Sequence, residues 1–171
     1  MNPFKLAFLL CLLALPCAAQ SITTAVTPVT GSFYVSVDDH CTIFVNGQKF
    51  YHGNLGSSHS PETTLKVGDR LLVNLHNDMG PRHFMAAFVS SDGKQVISFK
   101  RSDFKLVPDV GVKDFSAAQF QGWSGPKHTA KAPKYKPKLP VKSYSESVWG
   151  DLDQCIVASV VTQQMVTQSP R

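Results

Sequence analysis

The chain has 171 residues, a formal net charge of +5 and 43% hydrophobic residues. That length predicts one domain with an ordinary core. No stretch reaches the about 18 apolar residues that a membrane-crossing helix needs, which excludes a helical membrane span.

The first nineteen residues read as a secretory signal peptide. Lys5 supplies the positive start, Leu6 to Leu15 the short apolar stretch, and Cys17-Ala18-Ala19 the small residues of a cleavage site. Cleavage after Ala19 leaves Gln20 as the mature N-terminus, and loss of Lys5 lowers the formal charge to +4. The expected location is therefore secreted, or extracellular. Cys11 and Cys17 leave with the signal, while Cys41 and Cys155 remain. Two cysteines in an exported chain predict one disulfide, Cys41–Cys155; the alternative is two separate buried thiols.

Residues 20–31 are Thr- and Val-rich, and Pro28 keeps them out of a sheet interior, so they read as an N-terminal linker or an edge strand. The β-sandwich domain is expected over 32–162. Phe33 to Val37 is a strand, Asp38-Asp39-His40 a bend, and Thr42 to Val45 and Gln48 to Tyr51 the arms of a hairpin. Asn46-Gly47 between the arms fits a type I′ turn, whose two central residues both need φ > 0. His52 to Thr63 is a loop rich in Gly, Ser, Asn and Pro. Thr64 to Val67 is short, and Gly68-Asp69 is a turn. From Arg70 to Asn77, Leu71, Val73 and Leu75 share one face, opposite Leu72, Asn74 and His76, as on a half-buried strand. His83 to Ser90 and Gln95 to Lys100 are two more strands, and Cys155 to Thr162 is a buried one.

Between them lies a break in composition. Residues 126–142 (PKHTAKAPKYKPKLPVK) hold six lysines, four prolines and no acid. The prolines exclude regular helix or sheet and predict polyproline II or a mobile loop. Gln163 to Arg171 reads as a frayed polar tail. About eight short strands, with turn signals every eight to twelve residues and no strong helix pattern, predict an all-β antiparallel sandwich, a jelly roll.

Val35 to Gly47 (VSVDDHCTIFVNG) resembles the signature region of galactose-binding-like jelly rolls, the fold of many carbohydrate-binding modules. The matching positions are Asp38, Asp39, Phe44, Val45, Asn46 and Gly47. Leu65 to Val73, containing Gly68-Asp69, is similar to the family's second motif, and Asn77, the Met85 to Phe88 strand and Val148-Trp149 follow in the same order. The resemblance implies the fold, and carbohydrate binding as a family tendency. The Lys/Pro-rich segment departs from the family pattern.

Asp38 and Asp39 are expected to accept backbone N–H bonds in their turn. Calcium there is the one cofactor alternative, but no Asp-rich loop supplies six or more oxygens, so no cofactor is expected. No zinc signature joins His40, His52, His59, His76, His83 and His128, although His76 and His83 flank a turn and could approach each other across a hairpin. No nucleophile elbow or paired carboxylates stand out, and no catalytic residue is named. Trp123 and Tyr135 in loops and Tyr51 at a strand end are the aromatics suited to stacking on sugar; the alternative is that they close the rim of the core. Lys131, Lys134, Lys136 and Lys138 suit a polyanion, or else are a solvated linker. With no Arg in that segment, nucleic acid is not an expected partner. The sequence therefore points to a secreted, non-enzymatic module that binds extracellular carbohydrate or an acidic polymer. The alternatives are a structural matrix or coat protein and, third, an accessory domain of a glycoside hydrolase. Oligomeric state is left open.

Overall fold

The computed structural model describes residues 27–107, 138–149 and 152–167. They form an all-β sandwich of two antiparallel five-stranded sheets. In chain order the strands are β1 (Val29–Asp38), β2 (His40–Val45), β3 (Gln48–Gly53), β4 (Gly56–His59), β5 (Thr63–Leu65), β6 (Arg70–His76), β7 (His83–Ser90), β8 (Val96–Ser98), β9 (Lys105–Val107) and β10 (Gln154–Val160), followed by the short helix α1 (Gln163–Thr167). The first sheet runs β4-β1-β7-β8, with β5 pairing the start of β1; the second runs β3-β2-β6-β10-β9.

The hairpin forms where the turn chemistry demands it. Val45 pairs with Gln48 across a two-residue loop, and Asn46 and Gly47 have φ of 50° and 82°, the left-handed values these residues tolerate best. The register then shifts between Ile43 and Phe44, which leaves Phe50 as the extra residue of a bulge. The bulge turns both Phe50 and Tyr51 toward the core.

Alternation in β6 is as the side-chain period requires. Leu71, Val73 and Leu75 join the core cluster, while Asn74 and His76 face out. Facing them across the sandwich are Phe33, Val35 and Val37 of β1 and Phe84, Ala86 and Phe88 of β7. Phe33 is the centre of an aromatic group, 5.0 Å from the Phe88 ring edge-on and 6.1 Å from Phe99. Full burial of each such ring contributes about 1.5–3 kcal/mol. The return segment at 138–149 closes one end of the core: Phe84 and Val148 exchange backbone hydrogen bonds, and the buried Trp149 donates its indole N–H to Leu152 O at 2.9 Å.

Four expectations need correction. There are ten strands among the described residues, the short β4, β5 and β9 being too brief to leave a periodic signal. Strand β1 begins at Val29, inside the stretch read as a linker or an edge strand, because Val29 and Thr30 pair with Leu65 and Thr64. The tail is not frayed at its start. Met165 and Val166 of α1 are buried in the core, Met165 N–H bonds Thr162 Oγ1 at 3.3 Å, and Gln95 holds Val166 O at 2.6 Å.

Finally, no disulfide joins Cys41 and Cys155. Each lies opposite Leu75, one on β2 and one on β10, with β6 between them. Two strand spacings separate their Cα atoms by about 10 Å, beyond the roughly 7 Å that a bridge can span. Burial pushes the Cys41 thiol up to about 12. The expected signal peptide at 1–19 and most of the Lys/Pro-rich loop fall outside the described residues.

Candidate functional site: a histidine–aspartate row on the outer face

The bend between β1 and β2 and the turn after β6 are tied together by Asp39. Its Oδ2 accepts the backbone N–H groups of Asp78 at 2.7 Å and Met79 at 3.2 Å, and its own N–H bonds His76 O. Burial raises the Asp39 carboxyl, but those N–H bonds outweigh it and hold the group below the usual carboxylate range. The Asp38–Asp39 peptide bond is cis. The expected turn-capping role of this pair is therefore carried by Asp39, while Asp38 is buried at the end of β1 opposite His83.

This tie brings Asp78 over the end of the second sheet. There the register places His40, His76 and Gln154 in one row across β2, β6 and β10, on the face away from the core. Asp78 bridges the first two, its Oδ2 lying 3.1 Å from His40 Nε2 and its Oδ1 3.0 Å from His76 Nε2. The remaining ring nitrogens are held by amides. Asn54 Oδ1 lies 3.0 Å from His40 Nδ1, and Gln154 Nε2 lies 2.8 Å from His76 Nδ1. His52 of β3 lies parallel to the His40 ring, with centroids 6.0 Å apart, and its Nδ1 meets Thr42 Oγ1 at 3.0 Å. The bonds to Asn54 and Asp78 raise the His40 pKa above the ordinary imidazole value. The side chains are open to solvent: 37% exposed for His40, 43% for His76 and 56% for Asp78. Among the described residues, no three His, Cys, Asp or Glu side chains already stand as a metal-holding group.

The row is anchored from below. Asp153 accepts from Asn77 Nδ2 at 3.0 Å and forms an ion pair with Arg82 at 2.6 Å, which fixes the turn after β6 to the start of β10. The Asn77 bond first, then the Arg82 guanidinium, lowers the Asp153 pKa.

His83 does not join this row. It lies in the first sheet, buried, with Nε2 3.0 Å from Ser36 Oγ, and burial pushes it down to about 4. The partner of His76 is His40, reached through the β2–β6 register rather than across the turn. A pairing of those two strands was the one signal that could have found it, since 40 and 76 are separated by three other elements in sequence.

The aromatic and lysine candidates are placed only in part. The ring of Tyr51 packs against the core, and its hydroxyl donates to Ser58 Oγ at 2.6 Å. Lys138 is exposed, and its carbonyl accepts from Ser57 Oγ at 3.4 Å. Trp123, Tyr135, Lys131, Lys134 and Lys136 lie outside the described residues. No helix among the described residues is long and apolar enough to cross a membrane. Compared with known proteins, the chain matches no family model, no curated protein and no solved structure.

Proposed function

We propose that the protein is a secreted, non-enzymatic binding module of the galactose-binding-like jelly-roll type, and that its ligand is an extracellular glycan. The observation that carries this reading is the solvent-facing row of His40, His76 and Gln154, with Asn54 and Asp78 against it. Planar amides, imidazoles and a carboxylate offer donors and acceptors within one patch, which suits the alternating hydroxyls of a sugar. The second sheet holds His40, His76 and Gln154 in register, and the Asp39 contact holds the backbone of Asp78, so little ordering entropy is lost on binding.

Ser36 and His83 are assigned no catalytic role. They have the spacing of a nucleophile and its base, but Ser36 is 5% and His83 3% exposed, out of reach of a substrate.

A second reading is an acidic polymer, bound in a matrix or coat. It is favoured by exposed Lys138 and Lys142 at the end of the six-lysine segment.

A glycan and polysaccharide screen at low and high salt separates the two. The glycan reading expects salt-resistant binding that falls in Gln154→Ala and Asn54→Ala and survives replacement of the six lysines of 126–142 by Gln. Binding confined to acidic polymers, lost above about 0.15 M salt and lost with the lysines, moves the ligand site to that segment. Binding to neither class sinks both readings.

A further inference from the structure

We propose that Asn46 is a self-modification site. Its side-chain amide is converted to a carboxylate by the backbone nitrogen of Gly47 and water, and the conversion unlocks the β2–β3 hairpin from the turn that opens β6. Neither ligand reading is needed for it.

The reaction needs a side-chain amide carbon and a free backbone nitrogen one residue on, which is why Asn is thermolabile. Asn46 is exposed at the hairpin tip, and Gly47, with no Cβ, leaves its nitrogen open to approach. Among the described residues nothing accepts the Gly47 N–H. The two-residue hairpin pairs Val45 with Gln48 and leaves the inner amide of its turn unbonded. The Gly47 nitrogen attacks Cγ of Asn46. The new N–Cγ bond forms, the Cγ–Nδ2 bond breaks, and the amide leaves as ammonia, carrying the proton from Gly47 N. Water then opens the cyclic imide at one carbonyl or the other, giving aspartate or isoaspartate.

The fold sets when this happens. Asn46 Nδ2 donates to Asp69 Oδ1 at 3.0 Å, and Asn46 Oδ1 accepts the Arg70 N–H at 2.9 Å. Both bonds must release before the amide can turn onto its own backbone, so the contact with β6 is the gate. The product cannot close that gate again. A carboxylate at position 46 has no proton to donate, and it would face the Asp69 carboxylate, only 4% exposed, across the same short gap. Two carboxylates so close in a buried place cannot both ionise without strong repulsion. Isoaspartate also adds a methylene to the main chain of a two-residue turn. The change is one-way and accumulates with the age of the molecule.

The other acid and amide positions each fail one condition. Asp92 also precedes a glycine, but the Gly93 N–H bonds Ser90 O at 2.8 Å. The Asp92 carboxylate is held by Ser90 Oγ and the Lys94 N–H, which lower its pKa and keep it ionised, a poor electrophile. Asn77 is buried, and the Asp78 N–H that follows it is taken by Asp39. Asn74 lies in β6, paired on both sides by β2 and β10. Asn54 precedes Leu55, whose branched side chain crowds the attack.

The test is incubation of the full chain at pH 8 and 37 °C, followed by peptide mapping with mass spectrometry that separates aspartate from isoaspartate. Conversion is expected at Asn46, with isoaspartate among the products, while Asn54, Asn74, Asn77 and Asp92 stay unmodified. The same chain unfolded in guanidinium should convert faster at Asn46, since the gate is then absent. The converted fraction, separated by charge, should melt below the parent, and Asn46→Asp should reproduce that loss. The proposal is overturned if Asn46 is intact in the folded chain once the unfolded chain has fully converted, or if another of these positions converts first. Equal rates in the folded and unfolded chains would remove the gate and overturn it. So would an Asn46→Asp protein as stable as the parent, because conversion would then unlock nothing.

Discussion

The Nδ2 of Asn46 donates to the Oδ1 of Asp69 at 3.0 Å, joining the tip of the β2–β3 hairpin to the turn that opens β6. Asp69 is 4% exposed, and its other oxygen accepts the Lys66 N–H at 2.9 Å. Asn46 in turn accepts the Arg70 N–H through Oδ1 at 2.9 Å and bonds Arg70 O through its own N–H. The two short motifs that resemble a jelly-roll signature are thus two halves of one clamp. The clamp yields a pair of predictions. Asn46→Gly keeps the positive φ and loses both side-chain bonds, for about 1–2 kcal/mol of stability. Asn46→Ala adds strain at φ 50° and should cost about 1 kcal/mol more. Denaturant titration of both variants checks this, and equal stabilities would remove backbone strain from the account.

The sandwich should be indifferent to reductant. A bridge closing a loop of more than a hundred residues would contribute about 4–5 kcal/mol. With Cys41 and Cys155 on opposite sides of β6, that contribution is missing. The melting temperature is expected to be the same with and without dithiothreitol, and the Cys41 thiol to react with alkylating agents only on unfolding, since burial keeps it protonated up to about 12. A drop of several degrees in reductant would show a covalent link.

The contrast between the hairpin and the cysteines shows what the sequence carries. Asn46-Gly47 and the alternation of Leu71, Val73 and Leu75 are local signals, because turn chemistry and a side-chain period of two act over a few residues. Whether Cys41 meets Cys155 depends on which strand lies between β2 and β10, and no local pattern encodes that order. The row of His40, His76 and Gln154 is hidden for the same reason: two registers must be known before three isolated polar residues become neighbours. Asp78 is harder still, since it reaches the row only through the Asp39 contact. The polar look of Gln163 to Thr167 misled because two apolar residues among them, Met165 and Val166, were enough to fill the end of the core.

Two glycines separate two kinds of cost. A Cβ on Gly31 would lie 1.9 Å from the Val89 carbonyl oxygen, a backbone atom of the paired strand β7. Gly31→Ala can be accommodated only by parting β1 from β7 and should cost about 3 kcal/mol or more. Gly93 has φ 70° and open space around it, so Gly93→Ala carries only conformational strain, about 1 kcal/mol. Chemical denaturation should rank the two in that order. A Gly31→Ala protein as stable as the parent would mean that the two strands are not so close.

Acid should weaken the fold through His83 before it protonates the carboxylates. Burial lowers this ring from 6.5 to about 4, so it stays neutral in the folded chain while the unfolded chain takes up a proton near 6.5. Between those values the unfolded state binds more protons, and stability falls as pH falls. Above about 6.5 the contribution is whole and flat; by pH 4 about 2–3 kcal/mol is lost. Asp39, Asp92 and Asp153 have pKa values lowered from 3.8, so their losses come at more acid pH. His40 acts in the opposite sense, since its raised pKa adds stability at low pH, but its exposure keeps that small. His83→Gln preserves a partner for Ser36 Oγ and removes the titration. Denaturant midpoints measured from pH 7.5 to 4.5 should slope downward toward acid in the parent and be nearly flat in His83→Gln. Identical slopes in the two proteins would assign the acid sensitivity to some other group.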